Sequence, residues 1–253
     1  MVTKRQKELI IGTLLGDGYL QSTGKRNARL KLEHSEKQKD YIFWKYEELK
    51  NLMQDKPKKI ERYNPLWKKT YTYYRCQSYS TPFLGKLKRL FYDNKGRKRV
   101  PEKIGMLLKA PLSLAVWYMD DGHYYPKDRV AYVYLPKYSD EELKRLTEAL
   151  ENNFGLKPKV IWKKGYPVLY FPREETEKLT QKVIPHFEAY PLQSAKAQDF
   201  EKFKRICKMV KANLHLSPKH LPEIIELAYS MNPSGKRKYT KEHLLQVLGG
   251  EKV

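Results

Sequence analysis

The sequence is poor in the residues that build disulfide frameworks and zinc sites. Its 253 residues include two cysteines, Cys76 and Cys207, and no Cys-x-x-Cys pair. Two isolated cysteines exclude a disulfide-stapled scaffold. The six histidines are scattered without the spacing of zinc ligands, which argues against a nuclease built on a histidine–metal centre.

Long apolar runs are also missing. No stretch approaches the length of a membrane-spanning helix. The apolar run nearest the start, residues 9–15, is short and leads into an acid rather than into a signal-peptide cleavage site. We therefore expect a soluble intracellular protein, in the cytoplasm or an organelle matrix, with no membrane partner.

Acidic residues are few compared with basic ones. Asp and Glu number 29 against 51 Lys and Arg, which gives a net charge of +22, and the excess is spread along the whole chain. A lysine-rich solvated surface of a thermophile protein would explain such a charge as well. However, 20 tyrosines and 4 tryptophans are interleaved with the cations, and aromatic rings beside cations can stack on bases. We therefore favour a nucleic-acid partner.

Two segments of this basic chain end alike. Residues 9–18 (LIIGTLLGDG) and 112–122 (LSLAVWYMDDG) are apolar runs that finish at Asp-Gly, with Asp17 and Asp121 104 positions apart. Each acid is expected at the C-terminal end of a helix, where the dipole disfavours an anion unless a cation compensates it. One Asp-Gly pair would be an ordinary turn. Two in register indicate ligands of a hard cation, Mg²⁺ or Mn²⁺.

The two segments head an internal repeat. Ser35 follows Asp17 by 18 residues, and Ser139 follows Asp121 by the same interval. Each serine has a Gln or Glu three residues later, which predicts a capping box at the start of a helix. Periodicity in each copy predicts a helix, two strands, a helix, two strands and a helix. The sequence therefore predicts two copies of one unit.

A third region follows the repeat. Helical periodicity covers about residues 198–210 and 217–231, and Thr240 is a predicted N-cap of a last short helix. A basic loop, Lys236 to Lys238, precedes this last helix. The helical region either packs against the main domain or adds phosphate contacts through Lys236, Arg237 and Lys238. We divide the chain into a first half (1–100), a second half (101–212) and a helical extension (213–253).

The paired segments resemble the motifs of the LAGLIDADG homing endonucleases in their single-chain, two-motif form, over about residues 5–210. The resemblance implies an α+β fold of two pseudo-twofold αββαββα halves and a monomer. The motif helices would pack together at the centre, where Gly12 and Gly16 allow a close approach. Two saddle-shaped antiparallel sheets would lie in the DNA major groove. This sequence departs from the motif by having Val116 and Asp120 where the first copy has the two glycines.

The resemblance also implies roles for individual residues. Asp17 and Asp121 would bind the divalent metals, helped by the backbone carbonyls of Gly16 and Asp120. A basic residue near each scissile phosphate is best matched by Lys98 and Lys196, with Arg97 or Arg99 as alternatives to Lys98. Such a cation would stabilise transition-state charge, or would only clamp a phosphate.

Other polar residues near the motifs have simpler explanations. The Asp120 side chain is either a third carboxylate near the metals or, as we prefer, a hydrogen-bond partner of a neighbour. His34, Ser35 and Gln77 are more simply explained as turn and strand-surface residues than as the rim of the site.

The outward faces of the predicted strands carry candidate DNA-binding side chains. Arg and Gln suit base edges in the major groove, whereas Lys more often meets phosphate. The same faces would also suit plain solvent. The candidates are Arg29, Lys31, Tyr73, Arg75, Gln77, Lys157, Lys159 and Lys163.

These features predict a site-specific double-strand DNA homing endonuclease. It would hydrolyse phosphodiester bonds with a divalent metal at a long target site and leave short 3′ overhangs. The chain begins with Met and carries no splicing-domain sequence, so we expect an intron origin. Two alternatives are an RNA-binding intron maturase on the same fold, with intron RNA as partner, and a DNA-binding regulator that does not cleave. The presence of both motif acids favours cleavage.

Overall fold

Two units with the same order of helices and strands follow each other along the chain. The computed structural model describes residues 2–125, 128–188, 195–231 and 239–248, apart from the side chains of residues 187, 188, 195–197 and 200. The first unit consists of α1 (Lys4–Leu15), β1 (Tyr19–Ser22), β2 (Ala28–Ser35), α2 (Lys39–Glu48), β3 (Lys58–Asn64), β4 (Lys69–Gln77) and α3 (Pro82–Phe91).

The second unit repeats this order after a short helix, α4 (Ile104–Leu107). It consists of α5 (Pro111–Asp121), β5 (Gly122–Tyr125), β6 (Val130–Tyr134), α6 (Asp140–Phe154), β7 (Lys159–Lys163), β8 (Tyr166–Phe171) and α7 (Arg173–Glu188). The predicted helix, two strands, helix, two strands and helix are therefore confirmed in both copies.

Each unit forms one four-stranded antiparallel sheet. The strand orders are β1-β2-β4-β3 and β5-β6-β8-β7, so the two sheets share one topology. Along β2, buried and half-exposed residues alternate without a break, with Leu30 and Leu32 on the buried face. This period of two places the polar residues of the strand on the opposite face. The predicted α+β class with two repeated halves is confirmed.

Helices α1 and α5 cross at the centre of the molecule and leave no space for a side chain at Gly12 or Gly16 of the first motif. A Cβ atom added to Gly12 would overlap the carbonyl oxygen of Ser113 and lie 2.9 Å from Cβ of Val116. A Cβ atom added to Gly16 would lie 2.8 Å from Cγ of Asp120. The glycines of α1 thus accept the larger residues of α5. The two helices approach closely because glycines on α1 face larger side chains on α5.

The two predicted capping boxes differ in outcome. At the start of α6, Ser139 accepts the N–H of Glu142, and the Glu142 side chain accepts the N–H of Ser139, as predicted. The box predicted at Ser35 is wrong. Ser35 precedes a 3₁₀ turn without a side-chain cap, and the Gln38 side chain lies 3.3 Å from the ring of His34 instead. The Gln38 side chain thus contacts the residue before Ser35 rather than the main chain of Ser35.

The described residues after the second unit form three further helices, namely α8 (Ala195–Lys211), α9 (Leu221–Ser230) and α10 (Lys241–Leu248). Helix α8 packs against both α7 and α9. The centre of the Phe203 ring on α8 lies 3.7 Å from the centre of the Tyr124 ring on β5. Thr240 accepts the N–H of His243 at 3.1 Å, which confirms the predicted cap. The basic loop of Lys236 to Lys238 lies outside the described residues.

The limits of the three parts, 1–100, 101–212 and 213–253, stay a proposal, because α8 joins the second unit to the helices that follow it. Among the described residues, no helix has the length and apolar character needed to cross a membrane.

Candidate active site

Three carboxylates meet where the two central helices end. Asp17 follows Gly16, the C-cap of α1, while Asp120 and Asp121 are the last two residues of α5. The Asp17 side chain is 42% exposed, whereas that of Asp120 is fully buried. Within the described part of the chain, Asp17, His34 and Asp120 place one ligating atom each within 4.8 Å of one another. Carboxylates at two helix C-termini make this a site that favours a cation.

A buried lysine already neutralises part of this negative charge. Lys45 of α2 is completely buried, and its Nζ donates to both Asp120 oxygens, at 2.7 and 3.0 Å. The same Nζ lies 3.2 Å from Nε2 of His34 and 4.3 Å from the centre of the Tyr41 ring. All three ammonium hydrogens therefore have acceptors, as a buried charge requires.

Asp120 is the ionised partner of this lysine. Burial by itself raises the pKa of the Asp120 carboxyl, but the charge of Lys45, the neighbouring His34 and the hydrogen bonds to the carboxylate outweigh it, so the pKa lies below its ordinary value. The pKa of Tyr41 is raised well above its usual range, first by burial and then by the charge of Asp120. The preferred interpretation, that Asp120 hydrogen-bonds a neighbour, agrees with these contacts.

Sequence reasoning missed Lys45, although the signal was present. Ile42, Lys45, Tyr46 and Leu49 occupy one face of the helical pattern at i, i+3, i+4 and i+7. All four are buried. Because a buried lysine needs a partner, a lysine in an apolar stripe predicts an acid nearby.

His34 belongs to the site and does not lie on an exposed turn or strand surface. The expectation for this residue was wrong, since His34 is 3% exposed and lies on the buried face of β2. Its Nε2 faces the Lys45 ammonium and so acts as the acceptor. Nδ1 then carries the proton and points to Oδ2 of Asp17 at 3.6 Å and to Oε1 of Gln38 at 3.3 Å. The ring connects Lys45 to Asp17.

Lys98 lies beside the same acids. It follows α3, and its Nζ donates to the carbonyl oxygen of Gly16. Burial lowers the pKa of the Lys98 ammonium, while the charges of Asp121, Asp120 and Asp17 oppose that effect. The structure thus brings the predicted lysine to the three carboxylates.

The alternatives to Lys98 lie elsewhere. Arg97 pairs with Asp93 at 2.8 Å, and Arg99 donates to main-chain carbonyls at the end of α3. Lys196, the counterpart predicted in the second half, is at the start of α8, and its side chain is outside the described residues.

Sequence comparison identifies the family of this chain. Residues 7–179 match the model of the LAGLIDADG DNA endonuclease family. The chain belongs to this family. It is 28% identical over 190 residues to probable intron-encoded endonuclease 1 of Wickerhamomyces canadensis, covering 73% of this chain and 81% of that protein.

Other relatives match over shorter shares of their length. The chain is 35% identical over 130 residues to DNA endonuclease I-ChuI of Chlamydomonas applanata, covering 48% of this chain and 59% of that one. It is 28% identical over 207 residues to protein RecA of Mycolicibacterium flavescens, of which it spans 45%.

Solved structures extend this family likeness to the fold. The homing endonuclease I-WcaI bound to its DNA recognition sequence superposes with a TM-score of 0.67 at 25% identity, covering 74% of this chain and 83% of that one. The LAGLIDADG homing endonuclease I-LtrWI bound to target DNA superposes with a TM-score of 0.53 at 17% identity, covering 90% and 98%. At 17% identity, the likeness to I-LtrWI is a likeness of fold alone.

The outward face of the first LAGLIDADG sheet carries most of the predicted DNA contacts. Register pairs Lys31 with Gln77 and Ser35 with Tyr73, so β2 and β4 present these residues on the side opposite Leu30 and Leu32. The predicted residues on this face are Arg29, Lys31, Tyr73, Arg75 and Gln77.

An acid that the sequence did not single out organises this face. Glu33 accepts hydrogen bonds from Arg62 at 2.7 Å and is 2.6 Å from the guanidinium of Arg75. It holds two guanidinium groups side by side on the sheet surface.

The second sheet carries a more aromatic face. Lys159 and Lys163 lie on β7 opposite Tyr170 and Tyr166, and Nζ of Lys163 lies 3.5 Å from the centre of the Tyr132 ring. Lys157 is not brought to them. It precedes β7, and its Nζ pairs with Glu151 of α6 at 2.8 Å.

Proposed function

We propose that this chain is a site-specific double-strand DNA homing endonuclease that hydrolyses phosphodiester bonds. The observation that carries the proposal is the meeting of Asp17, Asp121 and Lys98 at the crossing of α1 and α5 in a LAGLIDADG family member. DNA-bound I-WcaI and I-LtrWI support the same substrate for this fold. Both halves belong to one chain, so a monomer contains the whole site.

A divalent cation, Mg²⁺ or Mn²⁺, fits the donors at this crossing. Both Asp120 oxygens accept from Lys45, and the Gly16 carbonyl accepts from Lys98. The carboxylates of Asp17 and Asp121, one at each helix end, are the donors best suited to hold it, with the carbonyls of Gly16 and Asp120 as further candidates. Neighbouring structures include I-SmaMI with uncleaved DNA in the presence of calcium ions. A bound cation would supply Lewis-acid activation of water and phosphate.

Lys98 would act on the phosphate of the DNA. Its ammonium is held beside Gly16 by a hydrogen bond and lies close to all three acids. A fixed cation in a water-poor site stabilises the charge on a pentacoordinate phosphorus without having to reorganise during the reaction. We assign Lys196 the same task in the second half.

The outward sheet faces would hold the target. Arg75 and Gln77 suit purine edges in the major groove, and Arg29, Lys31, Lys159 and Lys163 suit phosphates or bases. Tyr73 lies among them, while Lys157 is a weaker candidate because it pairs with Glu151. With a net charge of +22, binding should weaken steeply as salt rises.

The test is cleavage of a randomised double-stranded DNA library with Mg²⁺. The wild type should enrich one long site that neither Asp17→Asn nor Asp121→Asn cuts. Asp55→Asn is the matched control, because Asp55 is a half-exposed acid that pairs with Lys58 away from the site. Binding of DNA without cutting by the wild type would contradict the proposal. The regulator and the maturase would then be separated by binding to intron RNA.

A further inference from the structure

The ion pair of Lys45 and Asp120 connects the two halves of the molecule. Lys45 lies on α2 of the first half, and Asp120 lies at the end of α5 of the second. We propose that Lys45, Asp120 and His34 form a positioning unit for Asp17, so that loss of the unit slows one strand cleavage more than the other. This inference rests on the proposed function.

The unit contacts Asp17 at two points. Helix α1 ends at Leu15, and the Asp17 N–H donates to Oδ2 of Asp120 at 3.1 Å. On the side-chain side, Nδ1 of His34 lies 3.6 Å from Oδ2 of Asp17. The main chain and the carboxylate of Asp17 are thus both placed by residues of the unit.

The unit is itself tightly fixed. The side chains of Lys45 and Asp120 have no exposed area, and the lysine makes three polar contacts. Asp120 also fills the space where a Cβ of Gly16 would be. A side chain enclosed in this way has no second position to adopt, so the Asp120 carboxylate is a fixed anchor for Asp17.

Among the described residues of the second half, different side chains occupy the positions of this unit. Tyr19 pairs with Lys31 and His123 with Tyr132, so the strand register puts Leu135 in the place of His34. The 104-residue offset of the helices puts Ala149 in the place of Lys45 and Gly16 in the place of Asp120. Leucine, alanine and glycine cannot form an ion pair. Asp121, unlike Asp17, is the last residue of its helix. The two acids are therefore held by different means.

Because the unit contacts Asp17, its loss should affect the two strand cleavages differently. Misplacing a reacting group by about 1 Å can slow a reaction by roughly a hundredfold. Loss of the unit should therefore slow one strand cut and spare the other, so that nicked DNA accumulates.

The test is the double variant Lys45→Met/Asp120→Asn. Removing both charges together avoids leaving one buried without a partner, which would unfold the protein rather than probe its chemistry. The substrate is a duplex of the selected site with a different 5′ fluorophore on each strand, cut under single-turnover conditions with Mg²⁺. We expect an unchanged Kd for the duplex and a rate constant for one strand that falls at least about tenfold more than that of the other.

A second variant and a control separate positioning from stability. His34→Phe keeps a ring in the core but removes both nitrogens, and it should slow the same strand. Arg5→Met/Glu48→Gln removes another ion pair between α1 and α2, 2.7 Å long and at the far end of α1, and should change both strands equally. Equal slowing of both strands by Lys45→Met/Asp120→Asn, no slowing, or slowing of opposite strands by the two test variants would overturn the inference. A wild type that cuts neither strand would refute the proposed function, and this inference with it.

Discussion

The crossing of α1 and α5 gives a quantitative prediction for Gly12→Ala. The new Cβ would overlap the carbonyl oxygen of Ser113 and lie 2.9 Å from Cβ of Val116. Neither atom can rotate away, because one is main chain and the other is the first atom of its side chain. The helices must therefore separate for the methyl group to fit.

Two opposing terms set the size of the effect. Overpacking a close-packed core costs about 1–3 kcal/mol, and contacts with rigid atoms place this site at the upper end. Replacing glycine by alanine within a helix favours folding by about 1 kcal/mol. We expect a net loss of about 1–2 kcal/mol, which is a fall of roughly 2–8 °C in Tm for a chain of this size.

Urea unfolding followed by circular dichroism measures this loss, and Gly105→Ala is the matched control. Gly105 lies in α4, and a Cβ there would meet nothing within 4 Å. It should gain about 0.5–1 kcal/mol, as alanine does at an open helical position. If Gly12→Ala proved as stable as Gly105→Ala, the close crossing would be refuted. Because the crossing also sets the separation of Asp17 and Asp121, Gly12→Ala should cut DNA more slowly than its stability alone explains.

Three further predictions concern other parts of the fold. Ser139→Ala should cost about 1 kcal/mol in urea unfolding, whereas Ser35→Ala should cost almost nothing, because only Ser139 makes a side-chain cap; equal losses would contradict the capping argument. Burial raises the pKa of the Cys76 thiol to about 12, so iodoacetamide at pH 8 should label Cys76 only after unfolding, and mass spectrometry would expose labelling of the native protein as a counterexample. Burial raises the pKa of Glu175, but hydrogen bonds from a main-chain N–H and a lysine outweigh it and leave the pKa low. Its stabilisation is complete above an unfolded pKa of about 4.3 and disappears as pH falls through the lower folded pKa. The stability gap between wild type and Glu175→Gln should therefore close on acidification, and a gap independent of pH would count against this assignment.

The sequence by itself determined the repeat, the class of the fold and the positions of the motif acids. These features depend on local patterns, namely apolar periodicity, the serine cap at Ser139 and the equal spacing from Asp17 to Ser35 and from Asp121 to Ser139. The alternation along β2 likewise determined which residues face outward. The sequence also identified Lys98 as a candidate beside the site, although only through its resemblance to a family.

Only the tertiary structure decided how the acids are held. The partners of the central ion pair, Lys45 and Asp120, lie 75 residues apart and in different halves, so no local pattern joins them. His34 likewise meets Lys45 and Asp17 only through the packing of β2 against α2 and the end of α1. A buried lysine must find a carboxylate, and the sequence shows that requirement on α2. Which carboxylate satisfies it depends on the crossing of α1 and α5, where glycine on one helix leaves the space that Asp120 fills.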